Sequence, residues 1–520
     1  MKSRLPLLAV GVLLLFIAVG CMGGSTTPSA STPTPGPLLT LTPQADVEVI
    51  PKPDRPNILL ILLDDLDVEL GSIEYMPILQ ELLVRQGLTF EDFYVSSSVC
   101  CPSRATILRG QYTHNHGVLS NNPPFGGFQK FYFQENESST LATWLQAAGY
   151  ETVLLGKYLN GYPLREDRNY VPVGWTEWYS PAKGKPYVGF NYTLNQNGVQ
   201  VDYRDTGEGP SLYITDVLSE KAGDFIQRSA EGDAPFFIFL SLYAPHQPAA
   251  PATRHEGLYL DLAAPRTPSF NEQDISDKPG VLRFNTPLTE EQIADLDALY
   301  RRRIQTLQAA DEAIAHLIGT LEAAGELDNT YIIFTSDNGF HLGQHRLNAG
   351  KGTLYEEDIH VPFVIRGPGI PPGESLQGYL AGNVDLAPTI AELAGVIPPD
   401  YVDGRSLVGL FGNQPPAPED WRSAFFVEVY GQEVGEEGEI EQILPSLNRE
   451  VGLRTLDYLY AEHAEGSVEL YDMKNDPYQL QNIAGTADPA LLDELSELLH
   501  SLQECSGSIC RTLEETILKE

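Results

Sequence analysis

The chain has 520 residues, more than one hydrophobic core sustains, so two packed units or one large α/β domain with an appendage are expected. Hydrophobic residues make up 42% and charged residues 20%, at a mean hydropathy of -0.18, which excludes a disordered chain and a polytopic membrane protein. Acidic residues outnumber basic ones 71 to 33, and a net charge of -38 repels phosphate backbones, so no nucleic-acid partner is expected.

Met1 to Arg4 is basic and Leu5 to Gly20 is apolar but short for a bilayer span, the pattern of a signal peptide over 1–21. Ile17-Ala18-Val19-Gly20-Cys21 resembles a bacterial lipoprotein box, so export is expected, with Cys21 lipidated in the cell envelope or with the protein secreted. Residues 22–54 are rich in Ser, Thr and Pro, bury too little apolar surface to fold, and read as a linker.

After Arg55, short apolar runs alternate with helical stretches, the pattern of an α/β fold with a large, mostly parallel or mixed sheet flanked by helices. Strands are predicted over 57–63, 151–155, 236–242, 331–336 and 362–365. Ile304, Leu307, Ala310, Ile314, Leu317 and Leu321 recur at helical spacing and predict an amphipathic helix over 299–321. This unit spans 55–411, and a Pro-rich break separates it from a smaller α+β subdomain over 412–520. In the latter, strands are predicted over 424–430, 451–459 and 468–470 and a helix over 491–502. Cys505 and Cys510 enclose a short Ser/Gly loop that suits either a disulfide in an exported protein or two thiols.

Ligands of open parallel sheets bind beyond the carboxyl ends of the strands, so chemistry is sought after each apolar run. Those positions are polar here: Asp64-Asp65, Gly156-Lys157, Pro245-His246 and Asp337-Asn338, with Lys351 between glycines ahead of the fifth run. Each has a bland reading alone, since an Asp after a strand commonly caps a helix and a Lys is often a solvated tip. Together, three carboxylates and an amide carbonyl suit a hard divalent cation, Ca2+ or Mg2+, while the lysines and histidine suit an anionic substrate.

Cys100-Cys101-Pro102-Ser103-Arg104 carries the most specific signal. By residue chemistry alone, Cys100 is either a buried thiol or a thiolate activated by Arg104. The spacing C-x-P-S-R, however, resembles the sulfatase signature, whose first cysteine a maturation enzyme oxidises to formylglycine (3-oxoalanine). The segments His114-Asn115-His116, Gly156-Lys157-Tyr158-Leu159-Asn160, Ser336 to His341 and Tyr355 to Ile359 extend the likeness. Over 55–511 the chain resembles the type I sulfatases of the alkaline-phosphatase superfamily, within them the N-acetylglucosamine-6-sulfatase and heparan 6-O-endosulfatase branch, and Cys505 to Thr512 is similar to that branch too.

The resemblance implies that Cys100 becomes formylglycine and that Asp64, Asp65, Asp337 and Asn338 hold one calcium ion with it, magnesium being the lesser choice. It implies a formylglycine hydrate beside Arg104 as the nucleophile at sulfur, Lys157 and Lys351 neutralising the sulfate, and His246 assisting the leaving alcohol. His114 and His116 are candidates for the base that releases sulfate, and these two with His341 and His345 for substrate contacts. Two positions depart from the family pattern: Leu159 stands where many sulfatases have histidine, and Leu108-Arg109-Gly110-Gln111 replaces the usual L-T-G-R that bears on cysteine maturation.

The implied substrate is a sulfated saccharide. A chain at -38 steers a long polyanion poorly, and it has no long basic insertion like the one with which the endosulfatases grip heparan sulfate. Exo-action at the 6-position of a hexosamine is therefore expected. Two alternatives stand beside it: a phosphonate or phosphate ester hydrolase of the same superfamily, and a tethered carbohydrate-binding lipoprotein whose Cys100 is never matured. Asn136-Glu137-Ser138 and Asn191-Tyr192-Thr193 fit the N-glycosylation pattern.

Overall fold

At the centre of the computed structural model lies β1 (Asn57–Asp64), whose eight residues are all buried. The structure describes residues 55–204, 212–280, 282–412, 414–430, 432–434, 440–442 and 449–516, so the predicted leader, Cys21 and linker lie outside the described residues. An unbroken apolar strand of this kind needs cover on both faces, and each buried Leu or Ile contributes about 2 kcal/mol.

The other strands of the sheet are β2 (Leu88–Phe90), β3 (Glu151–Gly156), β4 (Glu177–Gly184), β5 (Tyr192–Gln196), β6 (Val199–Tyr203), β7 (Phe236–Pro245), β8 (Thr330–Ser336), β9 (Phe363–Arg366) and β10 (Glu374–Leu376). Their spatial order is β10-β2-β9-β8-β1-β7-β3-β4-β5-β6. The five strands β8, β1, β7, β3 and β4 run parallel. β9 is antiparallel to β8, and β4, β5 and β6 form an antiparallel meander, so the expected α/β sheet is present and mixed.

Helices α1 (Cys100–Arg109), α2 (Leu141–Ala147) and α5 (Leu386–Leu393) pack together on one side. On the other, α3 (Ile214–Ser229) and α4 (Glu290–Ala324) cover Leu59, Ile61 and Leu63 of β1 and Ile238, Leu240 and Leu242 of β7. α4 starts at Glu290, well ahead of the predicted 299, because Thr289 and Gln292 form a capping box there. Its first turns are polar, so the apolar spacing that predicted the helix begins late.

A separate antiparallel sheet runs β11 (Ala424–Tyr430), β12 (Arg449–Thr455), β13 (Tyr458–Glu462) and β14 (Val468–Asp472) in that order. The single strand expected over 451–459 is therefore two, folded where Thr455 Oγ1 accepts from the N–H groups of Asp457 and Tyr458 at 3.2 and 2.8 Å. α6 (Pro489–Leu502) packs on β12, and α7 (Ser508–Leu513) follows. Cys505 and Cys510 are joined by a disulfide.

One half-buried histidine sets a pH dependence for this sheet. Burial alone would lower the pKa of His463, but Glu450 and Glu469, the latter 2.7 Å from Nε2, raise it from 6.5 to about 10. The folded value exceeds the unfolded one, so the stabilisation is complete below pH 6.5 and is lost as pH rises through about 10. Urea unfolding is expected to show a stability gap between wild type and His463→Gln at acidic pH that narrows across this window. A gap independent of pH would contradict the assignment.

Candidate active site

Because β8, β1, β7 and β3 are parallel neighbours, the residues that follow them converge at the carboxyl end of the sheet. Asp64 ends β1 opposite Pro245 of β7, and Asp65 leaves the sheet in the left-handed region at φ 67°. That uncommon conformation is held from two sides: its N–H donates to Asp337 Oδ1 at 3.1 Å and its carbonyl accepts from Arg303 Nη2 at 2.6 Å. Asn338 Nδ2 donates to Asp65 Oδ1 at 2.7 Å. At Gly156, φ is 106° and a Cβ would fall 1.8 Å from Ser241 O, so only glycine makes the turn. The turn brings Lys157 Nζ to 2.7 Å from Asp64 Oδ2.

Cys100 is the first residue of α1, with Sγ 3.4 Å from Asp64 Oδ1 and 2.6 Å from Lys351 Nζ. Lys351 Nζ also donates to Asp65 Oδ1. Arg104, one helical turn after Cys100, points the same way. Its Nε donates to Asp337 Oδ2 at 2.6 Å, and Nη1 donates to Lys157 O at 2.9 Å and Ser241 Oγ at 2.6 Å, tying α1 to the ends of β8, β3 and β7. His246 Nδ1 donates to Gln247 O at 2.6 Å, leaving Nε2 3.7 Å from Asp65 Oδ2. Asp64, Asp65, Cys100, Arg104, Lys157, His246, Asp337, Asn338 and Lys351 thus meet in one cluster, none more than 8% exposed.

Burial opposes ionised carboxylates, yet at Asp64 its neighbours, Lys157 foremost and then His246 and Arg104, outweigh it and hold the pKa at about 2. Lys351 and His246 outweigh burial at Asp65 in the same direction. Burial likewise opposes the charge on Lys157 and Lys351, but Asp64 and Asp65 raise both above their ordinary values, so both pairs are ionised at neutral pH. Cys100 behaves oppositely: burial pushes its thiol well up, beyond what Lys157 and Lys351 pull down. Burial thus favours the neutral thiol in an unmodified Cys100.

The donor set fits a hard cation. Asn338 Oδ1 is buried without a hydrogen-bond partner among the described residues. It sits with three carboxylates, and ligand atoms of Asp64, Asp65, Cys100 and His246 lie within 4.8 Å of one another. Oxygen-rich sets of this kind suit one Ca2+ or Mg2+.

A cavity of about 420 Å³ opens onto Asp65, His246 and Lys351, walled by Asn121, Phe340 and the Lys185-Pro186-Tyr187-Val188 turn between β4 and β5. The Tyr187 ring lies 4.5 Å from the His246 ring, and Lys157 Nζ lies 5.3 Å from its centroid. This wall was not foreseen. Its Gly-Lys-Pro composition signals a turn, but nothing local says which strand end it overhangs. Ser241 was also missed, although a hydroxyl within a fully buried strand is itself a signal.

Four expected substrate histidines do not line the cavity. His114 is bonded through Nδ1 to Glu428 Oε1 at 2.8 Å and through Nε2 to Cys505 O at 3.1 Å, so it pins α1's following turn to the C-terminal sheet. His116 is buried, held neutral by a pKa lowered to about 3, and bonded to Thr106 Oγ1 at 3.1 Å. His341 Nδ1 is engaged by Asp358 at 2.9 Å, and His345 stacks on Tyr355 with Nδ1 2.7 Å from Glu272 Oε2. Each of the four rings is thus bonded within the protein through at least one nitrogen. Arg109 and Gln111, the departures after the cysteine motif, bond each other at 2.8 Å. Asn136 is tied inward by a 2.9 Å bond to His116 O, whereas Asn191 is exposed.

An open α/β sheet that gathers two lysine–aspartate pairs around a buried cysteine, beside an oxygen-rich donor set, suits the hydrolysis of anionic esters. The sulfatase family profile matches residues 56–396, and the profile for the C-terminal part of N-sulphoglucosamine sulphohydrolase matches 343–505. N-acetylglucosamine-6-sulfatases of Capra hircus and Homo sapiens are each 37% identical over 487 residues, which are 88% of this chain and 85% and 86% of theirs. A structure solved in complex with its substrate D-glucosamine-2-N,6-O-disulfate is 26% identical, with a TM-score of 0.67, covering 86% of this chain and 98% of its own. The chain belongs to the sulfatase family and is a sulfuric ester hydrolase.

Proposed function

We propose that the enzyme releases inorganic sulfate from the 6-position of N-acetylglucosamine 6-sulfate at saccharide ends, with Cys100 matured to formylglycine and one calcium ion bound. The observation that carries this reading is the setting of Cys100, whose Sγ touches Lys351 and Asp64 while Lys157 completes the second lysine–aspartate pair. The names of the two mammalian relatives and the glucosamine disulfate of the solved structure support the hexosamine.

The formylglycine hydrate supplies an oxygen nucleophile toward sulfur and, through its second hydroxyl, a way to expel sulfate that a serine or cysteine ester lacks. Asp64, Asp65, Asp337 and Asn338, with residue 100, would hold the cation, which would supply positive charge at the sulfate.

The chain's own groups do the remainder. Lys157 and Lys351 neutralise the peripheral sulfate oxygens, where the charge resides. Arg104 fixes Asp337 and the ends of β3 and β7 against α1, which holds residue 100 in place. His246, oriented by its Nδ1 bond to Gln247 O, presents Nε2 to give a proton to the departing alcohol. Cys100 is 0% exposed, so its maturation enzyme acts before the fold closes, during export of a chain anchored through Cys21 or secreted.

Protein co-produced with a formylglycine-generating enzyme is expected to release sulfate from N-acetylglucosamine 6-sulfate, read by ion chromatography, and to prefer an aryl sulfate over the matched aryl phosphate. Cleavage of another sulfate with glucosamine 6-sulfate ends left intact contradicts the substrate. Faster phosphate or phosphonate hydrolysis favours the rival esterase, and saccharide retention without turnover favours the binding lipoprotein.

A further inference from the structure

We propose that Lys185 forms a second anion subsite at the rim of the cavity, so that the preferred substrate carries another negative group beside the scissile sulfate. The inference deepens the sulfatase reading and rests on it.

The lysines of the centre are committed: Lys157 to Asp64 at 2.7 Å, and Lys351 to Asp65 and Cys100. Lys185 lines the same cavity, is exposed, and has no carboxylate partner among the described residues. On a chain with 71 acidic and 33 basic residues, an ammonium left unpaired at the mouth of an anion site stands against the composition. It is also the one charged group among the described lining residues outside the buried centre.

The turn that carries it is built. Lys185 N–H donates to Asn191 O at 3.3 Å, Val188 N–H to Lys185 O at 3.0 Å and Gly189 N–H to Pro186 O at 2.9 Å. Gly184 bends the chain at φ 94°, where a Cβ would lie 2.5 Å from Asn191 O. Tyr187, two residues on, packs on the His246 ring at 4.5 Å and edge-on to Tyr243 at 5.0 Å. The Lys185 backbone is thereby fixed relative to the two sulfate lysines, while its four-carbon stem is free to reach a ligand. At about 420 Å³ the cavity exceeds what one sulfate fills, which leaves room for a sugar ring between the buried lysines and the rim. A substituent one position or one sugar away from the scissile ester then meets Lys185.

The anion is an oxyanion from one of two sources: a sulfate on the nitrogen of the same hexosamine, or the carboxylate of an adjoining uronic acid. Matured wild type, Lys185→Ala and Lys185→Arg are compared on N-acetylglucosamine 6-sulfate, on glucosamine N,6-disulfate, and on a uronate-linked N-acetylglucosamine 6-sulfate disaccharide. The readout is the ratio of kcat/KM for each dianion to that for the simple sulfate. Lys185→Ala is expected to lower this ratio about fivefold through KM in at least one arm, Lys185→Arg to keep it, and added salt to erode it in wild type. The responding arm identifies the source. A ratio unchanged by Lys185→Ala in both arms overturns the subsite while the wild type remains an active sulfatase. A wild type that releases sulfate from none of the three overturns the proposed hexosamine 6-sulfate substrate and the subsite with it.

Discussion

Replacing Cys100 with alanine is expected to lower kcat for sulfate release by about 10⁴-fold or more, because no other group in the cluster can stand in for the nucleophile. Lys157 and Lys351 are cations in ion pairs, Arg104 is spent on Asp337 and two acceptors, and Asp64 and Asp65 are paired carboxylates. The substitution removes Sγ contacts but leaves the Lys351–Asp65 and Lys157–Asp64 pairs, so thermal unfolding is expected to shift by only a few degrees. Cys101 is the control. Burial pushes its thiol up to about 12 and its N–H donates to Asn121 Oδ1 at 2.9 Å, so Cys101→Ala alters packing behind the helix without removing a reacting atom. A Cys100→Ala enzyme with wild-type turnover would move the chemistry elsewhere.

The largest loss of stability is expected at Arg422. Its side chain is fully buried, with Nη1 and Nη2 donating to the two oxygens of Asp385 at 2.6 and 2.7 Å and Nε donating to Glu514 Oε2 at 2.8 Å. Asp385 immediately precedes α5, and Glu514 immediately follows α7, so one guanidinium joins the core helices to the C-terminal segment. Arg422→Ala leaves the buried Asp385 without its cation and Glu514 with Arg405 alone, at 3.0 Å, which costs about 3–5 kcal/mol, more than such a pair gains over an apolar substitute. Denaturant unfolding that shows a loss below about 1 kcal/mol would contradict this role.

What was legible in the sequence follows from periodicity. Asp64, Lys157, His246 and Asp337 stand just where apolar runs end, and strand ends are where a parallel sheet gathers its chemistry. Arg104 was legible through its place in the C-x-P-S-R motif, as a cation close in sequence to Cys100. Tertiary partners were not. His114 sits 314 residues from Glu428, and its bond to the C-terminal sheet leaves no trace in its neighbours. The β5–β6 hairpin escaped because Val199–Tyr203 is an edge strand with half-exposed side chains and no apolar run. The early turns of α4 were missed for the same reason, with only the Thr289–Gln292 box to mark them.

The most direct test is the mass of the peptide that spans Cys100 to Arg104, taken from protein purified from its own host. An aldehyde in place of the thiomethyl group at residue 100 is the expected result. An intact cysteine in protein that nevertheless turns over sulfate esters would contradict the formylglycine assignment at its root.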